Sequence, residues 1–100
     1  MKFTIIPDDG FVSVDGIGYS DLAISIDPSI HAVQWYGEFG EIEYRSVFDG
    51  SIITKPQNET ITGSARFQSV LDVWSLAHEE AMHPTPAPPA ATDPTPLPVT

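Results

Sequence analysis

In Glu41-Ile42-Glu43-Tyr44-Arg45 apolar and charged residues alternate without a fault, and further along Phe67, Val70, Leu71, Trp74, Ala77, His78 and Ala81 recur at intervals of three and four. The first pattern has the period of a strand with Ile42 and Tyr44 on one face and Glu41, Glu43 and Arg45 on the other. The second has the 3.6-residue period of an amphipathic helix. The change of period near Ser64 decides the fold class. An antiparallel sheet followed by one helix buries both apolar faces in two layers, which is an α+β domain.

Upstream of Glu41 the chain reads as strands separated by turns. Lys2 to Ile6 is β-branched and aromatic, and Phe11 to Val14 follows Gly10. Asp15-Gly16 is a two-residue hairpin signal that returns the chain through Ile17-Gly18-Tyr19. Leu22, Ile24 and Ile26 alternate until Asp27-Pro28 ends the run. Ile30 to Tyr36 is the next strand, and Gly37-Glu38-Phe39-Gly40 is a tight connection. Asp49-Gly50 marks a further turn, after which Ile52-Ile53 closes the sheet. The expectation is a small antiparallel sheet of about five strands and a C-terminal helix of roughly twenty residues. Thr62 or Ser64 caps the helix and Pro84 ends it. Trp74 stands at the centre of the helical stripe. As a core residue its truncation would cost about 3–5 kcal/mol.

The composition changes after His83. Pro84 to Thr100 holds most of the chain's 10 prolines. Proline fixes φ and lacks an amide hydrogen, so this segment reads as extended polyproline-II chain, reaching roughly 50 Å at about 3.1 Å per residue. The chain therefore divides into a domain at 1–83 and a proline-rich tail at 84–100. Leu97 and Val99 are the residues of the tail able to anchor it on a partner. Pro86-Ala87-Pro88-Pro89 has the PxxP spacing without a flanking base, which favours a spacer or strap over an SH3 ligand. An 83-residue core is small, and a partner or oligomerisation would help it.

The balance of charge is strongly acidic. Four Lys+Arg against 14 Asp+Glu give a formal charge of -10. Such a chain repels nucleic acid and anionic membrane. It has no apolar run of transmembrane length. The apolar opening breaks at Pro7, too short for a secretory signal, so an intracellular start is expected. With no cysteine there is no disulfide, thiol nucleophile or thiolate metal ligand.

Catalytic patterns are not found in the sequence. His78 and His83 flank Glu79 and Glu80, but a zinc-binding helix needs histidines at i and i+4. The spacing here turns them about 140° apart. No metal site and no cofactor are expected. His31 lies in a strand with Ser29 as its nearer same-face neighbour and no evident charge partner, which is a structural histidine. There is no nucleophile elbow, phosphate-cradling loop or EF-hand. Asn58-Glu59-Thr60 fits a glycosylation sequon by composition alone. These residues read as an acidic interaction module and not as an enzyme. Its best surface candidate is the cluster Trp35-Tyr36-Gly37-Glu38-Phe39. With Trp35 and Val33 facing the core, Tyr36 faces out and Phe39 lies in the turn, so both are candidate partner anchors.

Several segments together resemble a group of small proteins of tailed bacteriophages that infect Gram-negative bacteria, the tail-fibre assembly and tail-fibre-associated proteins. The segments are Met1-Lys2-Phe3-Thr4-Ile5-Ile6-Pro7, Val14-Asp15-Gly16 with Tyr19, Ile30-His31-Ala32-Val33-Gln34-Trp35-Tyr36, Gly40-Glu41-Ile42-Glu43-Tyr44, and the helix carrying Phe67, Gln68, Leu71, Asp72 and Trp74. The resemblance implies a non-enzymatic protein that binds a tail-fibre or baseplate protein, as an assembly chaperone or a small structural subunit. It also implies a place in the host cytoplasm during assembly or in the virion tail. The proline-rich tail departs from that pattern. A reading from a different class is an acidic phage-encoded inhibitor that mimics DNA against a host nucleic-acid-binding protein. Mimicry needs carboxylates in rows, and only Glu38, Glu41 and Glu43 approach one before Arg45 ends it.

Overall fold

Phe3, Ile5, Val12 and Val14 form the seed of the core, since alternation places them on one face of the first hairpin. In the computed structural model, which describes residues 1–83, β1 (Phe3–Ile6) pairs antiparallel with β2 (Phe11–Val14), Phe3 opposite Val14 and Ile5 opposite Val12. The turn Asp15-Gly16 leads to β3 (Ile17–Tyr19), with φ of 49° and 88° at its two residues. Positive φ at both positions matches the right-handed twist of the flanking strands.

On the other side of β1 lies β4 (Ile30–Trp35), then β5 (Gly40–Tyr44), then β8 (Glu59–Ile61). The sheet is six-stranded and antiparallel, in the order β3-β2-β1-β4-β5-β8. Its inner face carries Phe3, Ile5, Val12, Val14, Ile30, Val33, Trp35, Ile42 and Ile61, all buried. A short 3-10 turn at Ala65–Phe67 and α1 (Gln68–Met82) lie over this face and bring Phe67, Val70 and Leu71 into the same cluster. Phe67 meets the ring of Phe3 edge-on at 6.3 Å, and Phe3 stacks on Trp35 at 6.0 Å. Offset and edge-on pairs of this kind add to the area they bury. This is the expected α+β domain, with the helix last.

The sheet departs from expectation in three places. It has more than five strands, because Glu59-Thr60-Ile61 joins its edge opposite Ile42, Glu41 and Gly40. Ile52-Ile53 does not close it. Instead β7 (Ile52–Thr54) pairs only with β6 (Val47–Asp49), as a separate two-stranded hairpin turned at Gly50, where φ is 65°. Leu22, Ile24 and Ile26 alternate as expected and pack on the core half-buried, yet they form no strand. Among the described residues that segment has no ladder partner. The segment is held by bonds from the amides of Asp21 and Leu22 to the carbonyls of Asp9 and Gly10, and Ile26 lies beside Phe67 and Val70. Period-two alternation records one-sided burial, and pairing is a separate condition.

The helix also sits differently on the sheet. Its buried residues are in the first turns, and Trp74 is half-buried over the edge strand β3. The core centre is Phe67, Val70 and Leu71. The Ser64 side chain makes no cap bond, and its carbonyl instead receives the Phe67 amide at 2.9 Å. The helix ends at Met82, ahead of Pro84. The tail at 84–100, with Leu97 and Val99, lies outside the described residues. Among the described residues, no helix is long and apolar enough to cross a membrane.

Candidate protein-binding surface

Strand β4 sets the orientation of the aromatic cluster. Val33 and Trp35 are buried on the inner face, so Ala32, Gln34 and Tyr36 project from the outer face, which no helix of the described residues covers. The chain then turns through Gly37-Glu38, with φ of 112° at Gly37 and the Tyr36 amide bonded to the Phe39 carbonyl at 2.8 Å. Tyr36 and Phe39 thereby become cross-strand neighbours, one step beyond the Trp35–Gly40 pair. Their rings are 5.1 Å apart, and they are 42% and 47% exposed. Phe39 is more than a turn residue: it completes an exposed aromatic pair with Tyr36. Glycine is required next to it. A Cβ on Gly40 would lie 2.7 Å from Cε3 of Trp35 and 2.5 Å from the Gln34 carbonyl oxygen.

From Tyr36 a shallow groove of about 240 Å³ runs over the outer face, along Ala32 and Gln34 and between Glu41, Glu43 and Asn58. The Thr4 hydroxyl donates to Oε1 of Gln34 at 2.9 Å and fixes that side chain. An aromatic platform at the end of an acidic groove can hold an extended chain that presents an apolar side chain followed by basic ones.

Beyond Glu43 the charges are matched. The ladder between β4 and β5 slips between Ile30 and Ala32, and this bulge re-aims His31. Its Nδ1 lies 3.7 Å from Glu43 and its Nε2 4.0 Å from Asp8. The sequence offered no charge partner for His31 because both come from other segments. Arg45 donates to both oxygens of Asp8, at 3.0 and 2.7 Å, and to the Pro28 carbonyl at 2.9 Å. Those two bonds hold the Asp8 carboxyl below its usual range, and Asp8 in turn raises Arg45. Lys55 reaches Glu43 at 3.5 Å. At the far edge Tyr44 donates its hydroxyl to Glu59, which also pairs with Arg66 at 3.2 Å. The Tyr44 bond lowers Glu59 and raises the Tyr44 phenol.

His78 is engaged elsewhere. Its Nδ1 shares a hydrogen bond of 2.9 Å with the Tyr19 hydroxyl, and its ring stacks on Trp74 at 4.8 Å. Among the described residues no three His, Asp or Glu side chains gather as metal ligands, and none of the buried side chains is polar. His31, Glu43, Tyr44, Arg45 and Lys55 line a shallow cleft of about 370 Å³, and the Tyr36–Phe39 face is a second surface for contact.

The sequence reading missed the β6–β7 hairpin as a surface feature. Val47, Phe48, Ile52 and Ile53 are all exposed, Phe48 at 72%. The signal was present: two adjacent apolar residues on either side of Asp49-Gly50 place one on each face, which a sheet covered on one side does not ask for. Compared with family models, with curated proteins and with solved structures, the chain matches none.

Proposed function

We propose that this chain is a non-enzymatic protein-binding component of a tailed bacteriophage, engaging a tail-fibre or baseplate protein as an assembly chaperone or a small structural subunit. The observation that carries the binding role is the Tyr36–Phe39 pair, exposed at the head of the acidic groove. Tyrosine is enriched among the residues that dominate binding energy, and an exposed aromatic pair beside carboxylates suits an apolar and basic partner segment. The phage assignment rests on the resemblance carried by Met1 to Pro7, Ile30 to Tyr36, Gly40 to Tyr44 and the helix. The pairing of Asp8 with Arg45 and of Glu43 with Lys55 breaks the row of carboxylates along β5 after Glu41. That supports a protein partner over mimicry of DNA.

The test has two arms. Mass spectrometry of purified particles separates a resident subunit from a chaperone that departs. In parallel, the full chain and a Tyr36→Ala/Phe39→Ala variant are used to capture partners from infected cells. Capture of a fibre or baseplate protein, weakened at least about tenfold in the variant at unchanged melting temperature, is the expected result. Capture of a host nucleic-acid-binding protein instead would transfer the chain to the inhibitor class.

A further inference from the structure

Charge on the outer face of the sheet is matched at one end and open at the other. The chain has four Lys and Arg in all. Arg45 is held by Asp8, Lys55 by Glu43 and Arg66 by Glu59. Lys2, the fourth, precedes β1, which flanks β4 on the side away from β5. Among the described residues no ion pair includes Glu38 or Glu41, the two carboxylates next along the chain to the Tyr36–Phe39 pair. Gln34 stands opposite Glu41 across the ladder, but its Oε1 is turned to the Thr4 hydroxyl at 2.9 Å. Glu41 therefore lines the groove with no Lys or Arg of its own chain to match it.

Building on the protein-binding reading above, we propose that this groove takes one arginine side chain of an extended partner segment. Its guanidinium lies on the Tyr36 ring and its N–H fork on Glu41. The register of the strands supports this. Tyr36 faces Phe39 across the turn, and Glu41 is the next residue of β5 on the same face. Such diagonal neighbours lie about 7–8 Å apart. A guanidinium within about 6 Å of a ring centroid can reach a carboxylate at about 2.7–2.9 Å, so one group spans the gap. Lysine is a compact, strongly hydrated point charge and cannot both stack and fork. An extended segment sends every second side chain to one face. The neighbours of the arginine on that face then fall toward Phe39 at one end and Ala32 at the other. The formal charge of -10 on the chain draws a basic segment in.

The full chain, labelled with nitrogen-15, is titrated with a capped Thr-Val-Thr-Arg-Thr-Val-Thr peptide while its backbone amide shifts are followed. Saturable shifts centred on Tyr36, Phe39 and Glu41 are expected, with a dissociation constant of about 0.1–1 mM. Citrulline, neutral and of the same shape, should weaken binding at least about tenfold in place of the arginine. Lysine there should weaken it at least about threefold. Glu41→Gln should abolish the preference for arginine over citrulline, and Tyr36→Leu the preference for arginine over lysine. Both variants should keep the wild-type melting temperature, since neither side chain belongs to the core. No saturable shift up to about 5 mM peptide overturns the proposal, as does a citrulline peptide that binds equally well. A preference that survives Glu41→Gln, or lysine binding as tightly as arginine, overturns it too. Capture of a fibre or baseplate protein through Tyr36 and Phe39 without peptide binding would remove this site and leave the functional reading standing. Peptide binding without such capture would do the reverse.

Discussion

Trp74 donates its indole N–H to the backbone carbonyl of Ile17 at 2.9 Å, fastening the middle of the helix to the edge strand of the sheet. The same ring stacks on His78, which is bonded to Tyr19 two residues along that strand. Trp74 is thus a clasp at the rim, and Phe67, which is buried against Phe3, is the central aromatic of the helical layer. Trp74→Ala should destabilise by about 1–3 kcal/mol, and Phe67→Ala by about 3–5 kcal/mol. Trp74→Phe keeps an aromatic ring and removes the indole donor, so it should lose about 1 kcal/mol. Urea denaturation followed by circular dichroism ranks the three. A Trp74→Ala loss larger than that of Phe67→Ala would place the core centre at the wrong residue.

Gly40 tests the inner face from the opposite side. Alanine there would lower the entropy of the unfolded chain, a gain of about 0.4–1 kcal/mol. The added Cβ would however meet Trp35 and the Gln34 carbonyl at 2.7 and 2.5 Å. Backbone oxygen cannot swing aside as a flexible side chain can, so overpacking should prevail, with a net loss of about 1–3 kcal/mol. The near-ultraviolet circular dichroism of the indole should change with it. An unchanged or raised melting temperature would mean that Trp35 moves freely.

The parts of the fold legible in the sequence were those in which one residue type reports one cause. Asp15-Gly16 fixed a hairpin because both turn residues take positive φ. Phe67, Val70 and Leu71 declared a helix because their spacing has no other use. Leu22, Ile24 and Ile26 misled because alternation reports burial alone. Glu59-Thr60-Ile61 was silent because a short edge strand buries a single side chain, Ile61. Of the binding surface, Tyr36 was readable from Trp35 by alternation. The charges around His31 were not, because Asp8 and Glu43 are brought to it by a bulge and by chain segments far away in sequence.

The ion pairs predict a dependence on acid. Arg45 lowers the pKa of Asp8, and the Tyr44 hydroxyl followed by Arg66 lowers that of Glu59. A carboxyl depressed in the folded state adds stability above its unfolded pKa and loses it as pH falls through the folded value. Both contributions should therefore be complete at neutral pH and fade below about pH 4. Asp8→Asn should melt below wild type at pH 7, and the two curves should converge as pH falls through the lowered value of the Asp8 carboxyl. A gap that persists in strong acid would mean that Asp8 acts through packing and not through its charge.

Metal should be immaterial to the fold. His78 is committed to Tyr19 and Trp74, and no three candidate ligands converge among the described residues. Dialysis against a chelator should leave the melting curve of the full chain where it was. A fall in melting temperature that zinc restores would reveal a site assembled in some other way.

The final prediction concerns the division at His83. Every buried apolar side chain among the described residues lies between Phe3 and Leu71. From Glu79 to His83 the described chain is exposed throughout, so the last helical turn already projects past the layer it belongs to. Seven prolines between Pro84 and Thr100 remove amide donors, and Leu97 and Val99 are the main apolar side chains there. The domain at 1–83 should therefore fold alone. A chain ending at His83 should melt within about 2 °C of the full one, the span of a change well under 1 kcal/mol in a domain this small. The stiffness of a proline-rich strap limits the entropy lost on docking, so its contribution should appear in partner capture, weakened several-fold by the truncation. Leu97→Ser/Val99→Ser in the full chain should reproduce that loss if those side chains are the anchors. Unchanged capture in both would make residues 84–100 a spacer, and a lowered melting temperature would place them against their own domain.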